Sequence, residues 1–464
     1  MINELYQLSA AEVVEKLKSG NVSPHDCLDS LQQRIEVTES AINALPTLCF
    51  DRARAAADKI QSLPVEQRGL LAGLPVTIKD LTPVSGVRTT FGSRLYENHI
   101  PQQSDRLVRQ IEQQGGVVYA KSNTPEFGTG GITFNDVFGI TRSPRNTRFA
   151  SGGSSGGAAA SLATGSAWLS HGSDMAGSLR TPASFCGVCS LRPSPGKIFS
   201  DSDFLPFDIL GAEGPMARNI EDLGLFADVM MSGNVESMHE AANSAVKPAR
   251  IAISADLGIA NINDEVLNGF YQFVEKLASN NVTIVEQAPD LSEVHDAFDV
   301  LRAQSYAVSL EQTLAENPGV MKAEVEWNIK SGLNLSADKI RRAIRSQGQI
   351  INRAARFMQD FDLLICPATS VLSVDAGLRY PGSNGEVPIP EYYRWLAIAY
   401  ATTMTALPVI TLPCGMGENG MPIGIQLVGK PGGEARLFKQ AAALEALIDW
   451  SSVPVDPLAG DLFC

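Results

Sequence analysis

Segments typical of β-strands alternate with segments typical of α-helices along most of this 464-residue chain. In the first half, strand-like stretches at 70–80 and 117–123 flank a segment with helical periodicity at 104–116. The C-terminal half repeats the pattern, with strands predicted at 249–257, 282–287, 362–369, 409–414 and 423–429 and helices at 263–280, 293–316, 338–359 and 433–448. This alternation predicts an α/β protein, in which helices pack against a β-sheet.

Two helices are predicted ahead of the first strand. Ser9 and Glu12 have the spacing of a capping box, and Ser23 with Asp26 repeats that arrangement in front of a second helix. The small residues at 158–170 are interpreted as a further helix, buried against its neighbours. We expect one domain over the whole chain with three parts: an N-terminal helical segment (1–65), a core that bears the site (70–230), and a C-terminal part that completes the sheet (249–450).

Composition narrows the class of protein. Hydrophobic residues make up 44% of the chain and charged residues 19%, which is typical of a globular protein. The net charge of −14, without a basic stripe, argues against direct binding of nucleic acid and against an anionic membrane surface. The N-terminus lacks the features of a signal peptide, and there is no apolar run long enough to span a membrane. Seven scattered cysteines, including the Cys186–Cys189 pair interpreted as buried structural thiols, favour a cytoplasmic location.

The stretch "SGGSSGG" at 151–157 surrounds Ser154 and Ser155 with four glycines. It matches G-x-S-x-G, which would make Ser155 the nucleophile of a Ser-His-Asp hydrolase, but a poor strand precedes it and no histidine is an evident base. The loop could also bind a phosphate, although no lysine follows as a Walker A motif requires. No spacing of cysteine and histidine predicts a metal site.

Taken together with other segments, the loop resembles one family. The segments are "GLPVTIKD", "GGSSGGAAASLATG", "GSDMAGSLRTPASFCGVCSLRPSPG", "LGAEGPMARNIEDL" and "LPVITLPCG…GMPIGIQLVGK". Together they are similar to the amidase signature family over about residues 70–450. The resemblance implies the amidase signature fold, with a large mixed β-sheet core covered by helices on both faces. It also implies cleavage of carboxamides by a Ser–cis-Ser–Lys triad, without a metal or an organic cofactor.

The resemblance assigns the triad to particular positions. The lysine corresponds to Lys79, the cis-serine to Ser154 and the nucleophile to Ser178, which lies 24 residues after Ser154. A serine hydroxyl is a weak nucleophile and needs a base, and lysine is a base only when neutral. We therefore expect burial and hydrogen bonds to lower the pKa of Lys79. Asp80 follows it directly but need not neutralise it, because neighbours on a strand point to opposite faces.

The resemblance also implies the residues around the triad. The oxyanion of the intermediate would be bound by backbone N–H groups among Met175, Ala176, Gly177 and Ser178. Ala176 stands where glycine is frequent, so a positive φ there would cost stability. Two supporting residues are expected, Ser155 beside the cis-serine and Ser173, whose hydroxyl is expected to support Ser178. Arg180 is interpreted as a structural partner in an ion pair.

The resulting prediction is an amidohydrolase that acts on a small-molecule linear amide through an acyl-enzyme on Ser178. Two alternatives remain: the glutamine-hydrolysing component of a tRNA-dependent amidotransferase, and a non-catalytic binding protein on the same fold. The sequence leaves a homodimer open. We expect the C-terminal half, including 391–403, to contribute to the substrate pocket.

Overall fold

The computed structural model describes residues 2–201, 208–233, 236–381 and 392–459. The α-helices within these ranges are α1 Ala10–Lys18, α2 Pro24–Ile42, α3 Phe50–Gln61, α4 Arg106–Gln113, α5 Gly156–Ala163, α6 Arg180–Cys186, α7 Ile220–Met230, α8 Met238–Ala242, α9 Asp264–Ala278, α10 Val294–Glu316, α11 Ala323–Leu333, α12 Ala337–Phe357, α13 Ala397–Met404 and α14 Glu434–Glu445. The β-strands are β1 Thr47–Leu48, β2 Pro75–Lys79, β3 Val117–Ser122, β4 Phe134–Asn135, β5 Gly139–Ile140, β6 Leu169–Asp174, β7 Cys189–Arg192, β8 Ala212–Ala217, β9 Arg250–Ile253, β10 Thr283–Glu286, β11 Leu363–Pro367, β12 Val409–Met416 and β13 Pro422–Val428.

One mixed sheet forms the centre of the fold. In the described ranges, its 11 strands have the order β1-β3-β2-β6-β8-β7-β12-β13-β11-β9-β10. β2 is parallel to both β3 and β6, and β9 is parallel to β10 and β11, whereas the strands between β6 and β11 pair antiparallel. The predicted α/β class and the large mixed sheet are therefore confirmed.

Each face of the C-terminal half of the sheet packs into its own apolar core. Along β11, Leu363 and Ile365 belong to one buried cluster, whereas Leu364 and Cys366 belong to another. Successive strand residues point to opposite faces, so the two clusters lie on opposite sides of the sheet. The first cluster includes apolar residues of α7, α9 and α14, and the second includes those of α10, α12 and α13. Helices therefore cover both faces there.

The N-terminal helices begin where the sequence predicts. Ser9 and Ser23 each accept a hydrogen bond in a complete capping box. Asp222, on α7, accepts the N–H groups of Ala10 and Ala11 at 2.9 Å each, so a residue distant in sequence also caps α1. This contact ties the N-terminal segment to the core.

The predicted helix at 158–170 is partly wrong. Helix α5 ends at Ala163, and Leu169 already belongs to β6. Gly165, with a φ of +74°, lies between them, and a Cβ there would come within 2.7 Å of Pro454 and of Tyr6. The backbone therefore turns at a position that only glycine fills easily, and the small residues beyond it enter the sheet. Strands β7 and β8 and helices α6, α7, α8, α11 and α13 are also absent from the predicted elements.

More than one of the three predicted parts of the chain contributes strands to the large sheet. Strands from 70–230 and from 249–450 form the same sheet, whereas the single-domain boundaries stay a prediction. Cys186 and Cys189 are buried and carry free thiols, which agrees with a structural interpretation. Within the described ranges, no helix combines the length and apolar character needed to span a membrane.

Candidate active site

The predicted site residues come together at the ends of two neighbouring strands. Lys79 is the last residue of β2, and β6 lies parallel beside it, with Thr77 paired to Ser170. Because the strands run in the same direction, their carboxyl ends meet at one edge of the sheet. Ser173 lies near that end of β6, and Ser178 follows in the turn before α6.

The Gly/Ser loop brings a second segment to this edge. The Gly153–Ser154 peptide bond is cis, and Ser155 is the residue from which α5 begins. Gly152 has a φ of +77°, and a Cβ there would lie 2.8 Å from the Cα of Pro182. Glycine at that position thus allows the loop to pass close to α6, with the two serines facing β2.

Lys79 is completely buried and surrounded by oxygen atoms. Its Nζ lies 2.7 Å from Ser154 Oγ, 2.9 Å from Ser155 Oγ, and 3.0 and 3.3 Å from the Oγ and carbonyl oxygen of Ser173. Burial lowers the pKa of Lys79 from 10.5 to about 7, although the carboxylates of Glu213 and Asp174 act in the opposite direction. The side chain can therefore be neutral near pH 7, as a base must be.

Two pairs of side chains flank Lys79: His171 with Glu213, and Asp80 with Lys121. The ring of His171, on β6, accepts the backbone N–H of Lys79 at 3.3 Å and bonds to Glu213 at 2.7 Å. On the other side of the strand, Asp80 pairs with Lys121 at 3.4 Å and accepts a hydrogen bond from Thr90. Asp80 therefore pairs with a different lysine, which agrees with the expectation that it need not neutralise Lys79. The sequence does not identify His171 and Glu213 as site residues. They reach the site only because they lie on β6 and β8, and neither strand was predicted.

Ser178 is half-buried and adjoins the same loop. The N–H of Ser155 donates to the carbonyl oxygen of Ser178 at 3.1 Å. Ser154 contacts Lys79 directly, whereas no hydrogen bond joins the hydroxyls of Ser154 and Ser178 in the described part of the chain. The structure thus brings all three residues of the predicted triad to one site, with the Ser154–Lys79 contact formed.

The turn before Ser178 corrects two expectations. The N–H of Gly177 donates to Asp174 Oδ1 at 3.0 Å, so it is not free to bind an oxyanion. The N–H groups of Met175, Ala176 and Ser178 have no such partner among the described residues. Ala176 has no positive φ; the positive φ, +104°, is at Gly177, so the expected cost of alanine does not arise.

The hydroxyls of Ser173 and Ser155 both contact the amine of Lys79. The hydroxyl of Ser173 bonds to Lys79 at 3.0 Å, and not to Ser178 as expected, because Ser173 points toward the end of β2. Ser155 contacts the same amine, which agrees with a supporting place. In the described part of the chain, no histidine ring bonds to the Ser155 hydroxyl, so the alternative that makes Ser155 the nucleophile of a Ser-His-Asp hydrolase lacks its base there.

A buried ion cluster supports the turn. Arg180 binds Asp174 in a bidentate manner, at 2.7 and 3.0 Å, and Arg192 shares the same carboxylate at 3.3 Å. Arg180 also donates to Gln426 at 2.7 Å and to Thr403 at 2.7 Å, so strand β13 and helix α13 are linked to the start of α6. Arg180 is therefore a structural partner, as predicted. Asp174 lies in one of the segments that resemble the family, but the sequence assigns it no role.

A pocket opens beside Ser178. Its lining combines the turn after β6 with residues of the C-terminal half: Gly128, Gly130, Met175, Ala176, Ser178, Arg302, Tyr306, Tyr393 and Leu396. Tyr393 and Leu396 lie in the predicted segment 391–403, of which Glu391 is outside the described residues. Arg302 and Tyr306 were missed because they are spaced as ordinary residues of a helix. Over the described ranges, no group of His, Cys, Asp or Glu side chains is arranged to hold a metal ion.

Comparisons with known proteins agree with this geometry. The sequence profile of the amidase family matches residues 26–438. An acylamidase from Rhodococcus erythropolis is 30% identical over 475 residues, which cover 98% of each protein. The A subunit of a glutamyl-tRNA(Gln) amidotransferase from Halothermothrix orenii is 28% identical, covering 96% of this chain and 98% of that protein.

A solved structure shows the same fold. A bacterial aryl acylamidase of the amidase signature family superposes with a TM-score of 0.87 at 23% identity, covering 96% of this chain and 97% of that one. A profile match over most of the chain and a 30% identical relative over nearly its whole length are sufficient to assign a family. The chain belongs to the amidase signature family of amide-hydrolysing enzymes.

Proposed function

We propose that this chain hydrolyses a linear carboxamide through an acyl-enzyme on Ser178, with Lys79 as the base and Ser154 as the group that carries the proton between them. The observation that carries the proposal is the contact of the buried Lys79 Nζ with Ser154 Oγ at 2.7 Å. A lysine with a pKa near 7 is neutral often enough to accept a proton at physiological pH.

In the first half of the reaction, Ser178 Oγ attacks the carbonyl carbon of the amide. Its proton passes to Ser154 Oγ, while the Ser154 proton passes to the lone pair of neutral Lys79. The negative charge that forms on the carbonyl oxygen needs backbone donors, and Met175, Ala176 and Ser178 are our candidates. The C–N bond then breaks, and the same proton returns through Ser154 to the leaving nitrogen, because an amine anion is too poor a leaving group.

In the second half, water attacks the acyl ester. Ser154 and Lys79 accept the water proton and return one to Ser178 Oγ, which releases the carboxylic acid and restores the enzyme. Each proton taken up by Lys79 is given back within the same half-reaction. The proposed chemistry therefore needs no metal ion or organic cofactor.

Replacing the nucleophile tests the proposal. Ser178→Ala should lower amide hydrolysis by about 10⁴-fold or more without unfolding the chain, because the oxygen that attacks is lost. Ammonia release from aliphatic and aromatic amides measures this, with the exposed Ser62→Ala as a matched control. A fluorophosphonate should label Ser178 in the wild-type protein, and mass spectrometry that finds the adduct on Ser155 would contradict the assignment.

The proton path has its own test. Ser154→Ala should lower kcat for amides by about 100-fold or more, because both proton transfers pass through this hydroxyl. Activated esters such as p-nitrophenyl acetate should lose much less, since their leaving group needs no proton. Steady-state kinetics on both substrate types compare the two losses. An equal and small loss on amide and ester would make Ser154 a structural residue.

A second candidate function rests on the relatives themselves. One relative, at 28% identity over nearly all of this chain, is named as the A subunit of an amidotransferase, so glutamine hydrolysis coupled to a partner protein is the alternative. Purification from the native host distinguishes the two, because a component of such a complex would be recovered with its partner and would prefer glutamine among amides. A non-catalytic binding protein, the third possibility, would not need Lys79, Ser154 and Ser178 together.

A further inference from the structure

A buried arginine lies in the pocket beside Ser178. Arg302 belongs to α10, is 4% exposed, and lines the pocket together with Met175, Ala176 and Ser178. A guanidinium keeps its positive charge at every pH at which proteins are folded. The pocket of the proposed active site thus carries a permanent cation.

Among the residues that the structure describes, the groups that touch this guanidinium are neutral. It donates to Asn328 Oδ1 and to the hydroxyl of Tyr392. Its central carbon lies over the rings of Tyr306, Tyr392 and Tyr393, at 4.8, 5.5 and 4.3 Å from the ring centres. Ring faces attract a cation but do not neutralise it.

The neighbouring carboxylates already have other partners. Asp299 accepts the hydroxyl of Tyr393 at 2.6 Å and pairs with Arg394 at 2.7 Å. Glu324 pairs with Arg379 at 2.7 Å. Within the ranges that the structure describes, no carboxylate lies within 4.0 Å of Arg302, whereas the buried Arg180 and Arg192 share Asp174.

We infer that Arg302 binds a carboxylate of the substrate, so that the amide this enzyme cleaves carries a negative charge of its own. A buried cation without an anion is costly, and a carboxylate that enters the pocket would remove this cost through charge-assisted hydrogen bonds. The inference rests on the proposed function, because it places the substrate in the pocket that contains Ser178. The carboxylate could belong to the acyl part of the amide or to its amine part.

Pairs of substrates of similar size and shape, one with a carboxylate and one with a neutral methyl ketone in its place, test the inference. For the acyl part, succinamate and glutaramate are compared with the neutral ketones 4-oxopentanamide and 5-oxohexanamide. For the amine part, N-acetylglycine is compared with N-(2-oxopropyl)acetamide. In the wild-type protein, kcat/KM should favour the anion by about 10-fold or more in one of the two arms, as a charge-assisted hydrogen bond implies. Equal values in both arms would overturn the inference.

Variants of Arg302 separate recognition from structure. Arg302→Gln should abolish the preference for the anion, so that kcat/KM falls about 10-fold more for the anionic member of a pair than for the neutral member. Arg302→Lys keeps the charge and should keep part of the preference. If Arg302 only joined α10 to α11, Arg302→Gln would lower kcat/KM equally for both members of a pair. That result would contradict the inference. Arg341→Gln, on the exposed side of α12, controls for the change in net charge.

Failure of this inference can be distinguished from failure of the proposed function. If the wild-type protein hydrolyses neutral amides and the Ser178→Ala protein does not, the proposed function holds. The substrate pairs then test only the preference for an anionic amide. If no amide is hydrolysed, isothermal titration of the Ser178→Ala protein with the same pairs still measures the preference as a ratio of Kd values. If the Arg302→Gln protein is insoluble, Arg302→Lys is measured instead. Loss of all preference for the anion in Arg302→Lys would also contradict the inference.

Discussion

At the scale of single residues, the proposed chemistry depends on the protonation of Lys79. Burial lowers its pKa to about 7, and the Glu213 and Asp174 carboxylates limit that decrease. Between about pH 7 and pH 10.5 the unfolded chain keeps a proton on this lysine that the folded chain has lost. The unfolded state binds more protons there, so the contribution of Lys79 to the free energy of unfolding increases with pH through this range.

Removing the Glu213 charge should shift the pH profile of the enzyme. In the wild-type protein, kcat/KM should fall below about pH 7, because protonated Lys79 cannot act as a base. Glu213→Gln removes a charge that raises the Lys79 pKa, so this acid limb should move to lower pH by up to about one unit. Glutamine can still form a hydrogen bond with His171.

The measurement is a pH profile of kcat/KM on one neutral amide, with the exposed Glu66→Gln as the control. Movement of the limb to higher pH, or an unchanged limb, would show that Glu213 does not act on the base. Loss of the limb in a histidine variant would point to a histidine base.

At the scale of elements, the turn between β6 and α6 holds Ser178, the proposed nucleophile. Asp174 accepts the N–H groups of Gly177 and Leu179, at 3.0 and 2.9 Å, and binds Arg180 and Arg192. Although burial opposes its ionisation, the two arginines hold the pKa of Asp174 below its usual range. One carboxylate therefore shapes the turn that presents Ser178 and also joins it to the strands behind.

Neutralising that carboxylate should be strongly destabilising. Asp174→Asn leaves two buried guanidinium groups without an anion and should lower the free energy of unfolding by about 3–5 kcal/mol. Asp338→Asn removes two ion pairs on the exposed side of α12, with Arg341 and Arg342, and should change the free energy of unfolding by no more than about 0.5 kcal/mol. Urea unfolding followed by circular dichroism compares the two variants. Similar losses in both would mean that the cluster does not stabilise the turn.

At the scale of the whole molecule, the site depends on contacts between distant parts of the chain. Lys79, Ser154 and Ser178 come from the first half of the sequence, and Arg302, Tyr306 and Tyr393 close the pocket from the second. Arg180 links the two halves directly through Gln426 and Thr403. In the proposed reaction, the first half of the chain therefore supplies the reacting groups, and the second half supplies groups that would recognise the substrate.

The α/β class and the capped N-terminal helices could be predicted from local patterns, because capping boxes and strand periodicity act over a few residues. The triad candidates Lys79, Ser154 and Ser178 were implied by the resemblance to a family and not by local patterns alone. The carboxylate partner of Arg180, the hydrogen bond of Ser173 to Lys79 and the occupied N–H of Gly177 could not be predicted. They depend on which strands become neighbours, and that is set by packing of the whole sheet. For the same reason Arg302, an ordinary helix residue in the sequence, becomes a pocket residue only in the folded chain.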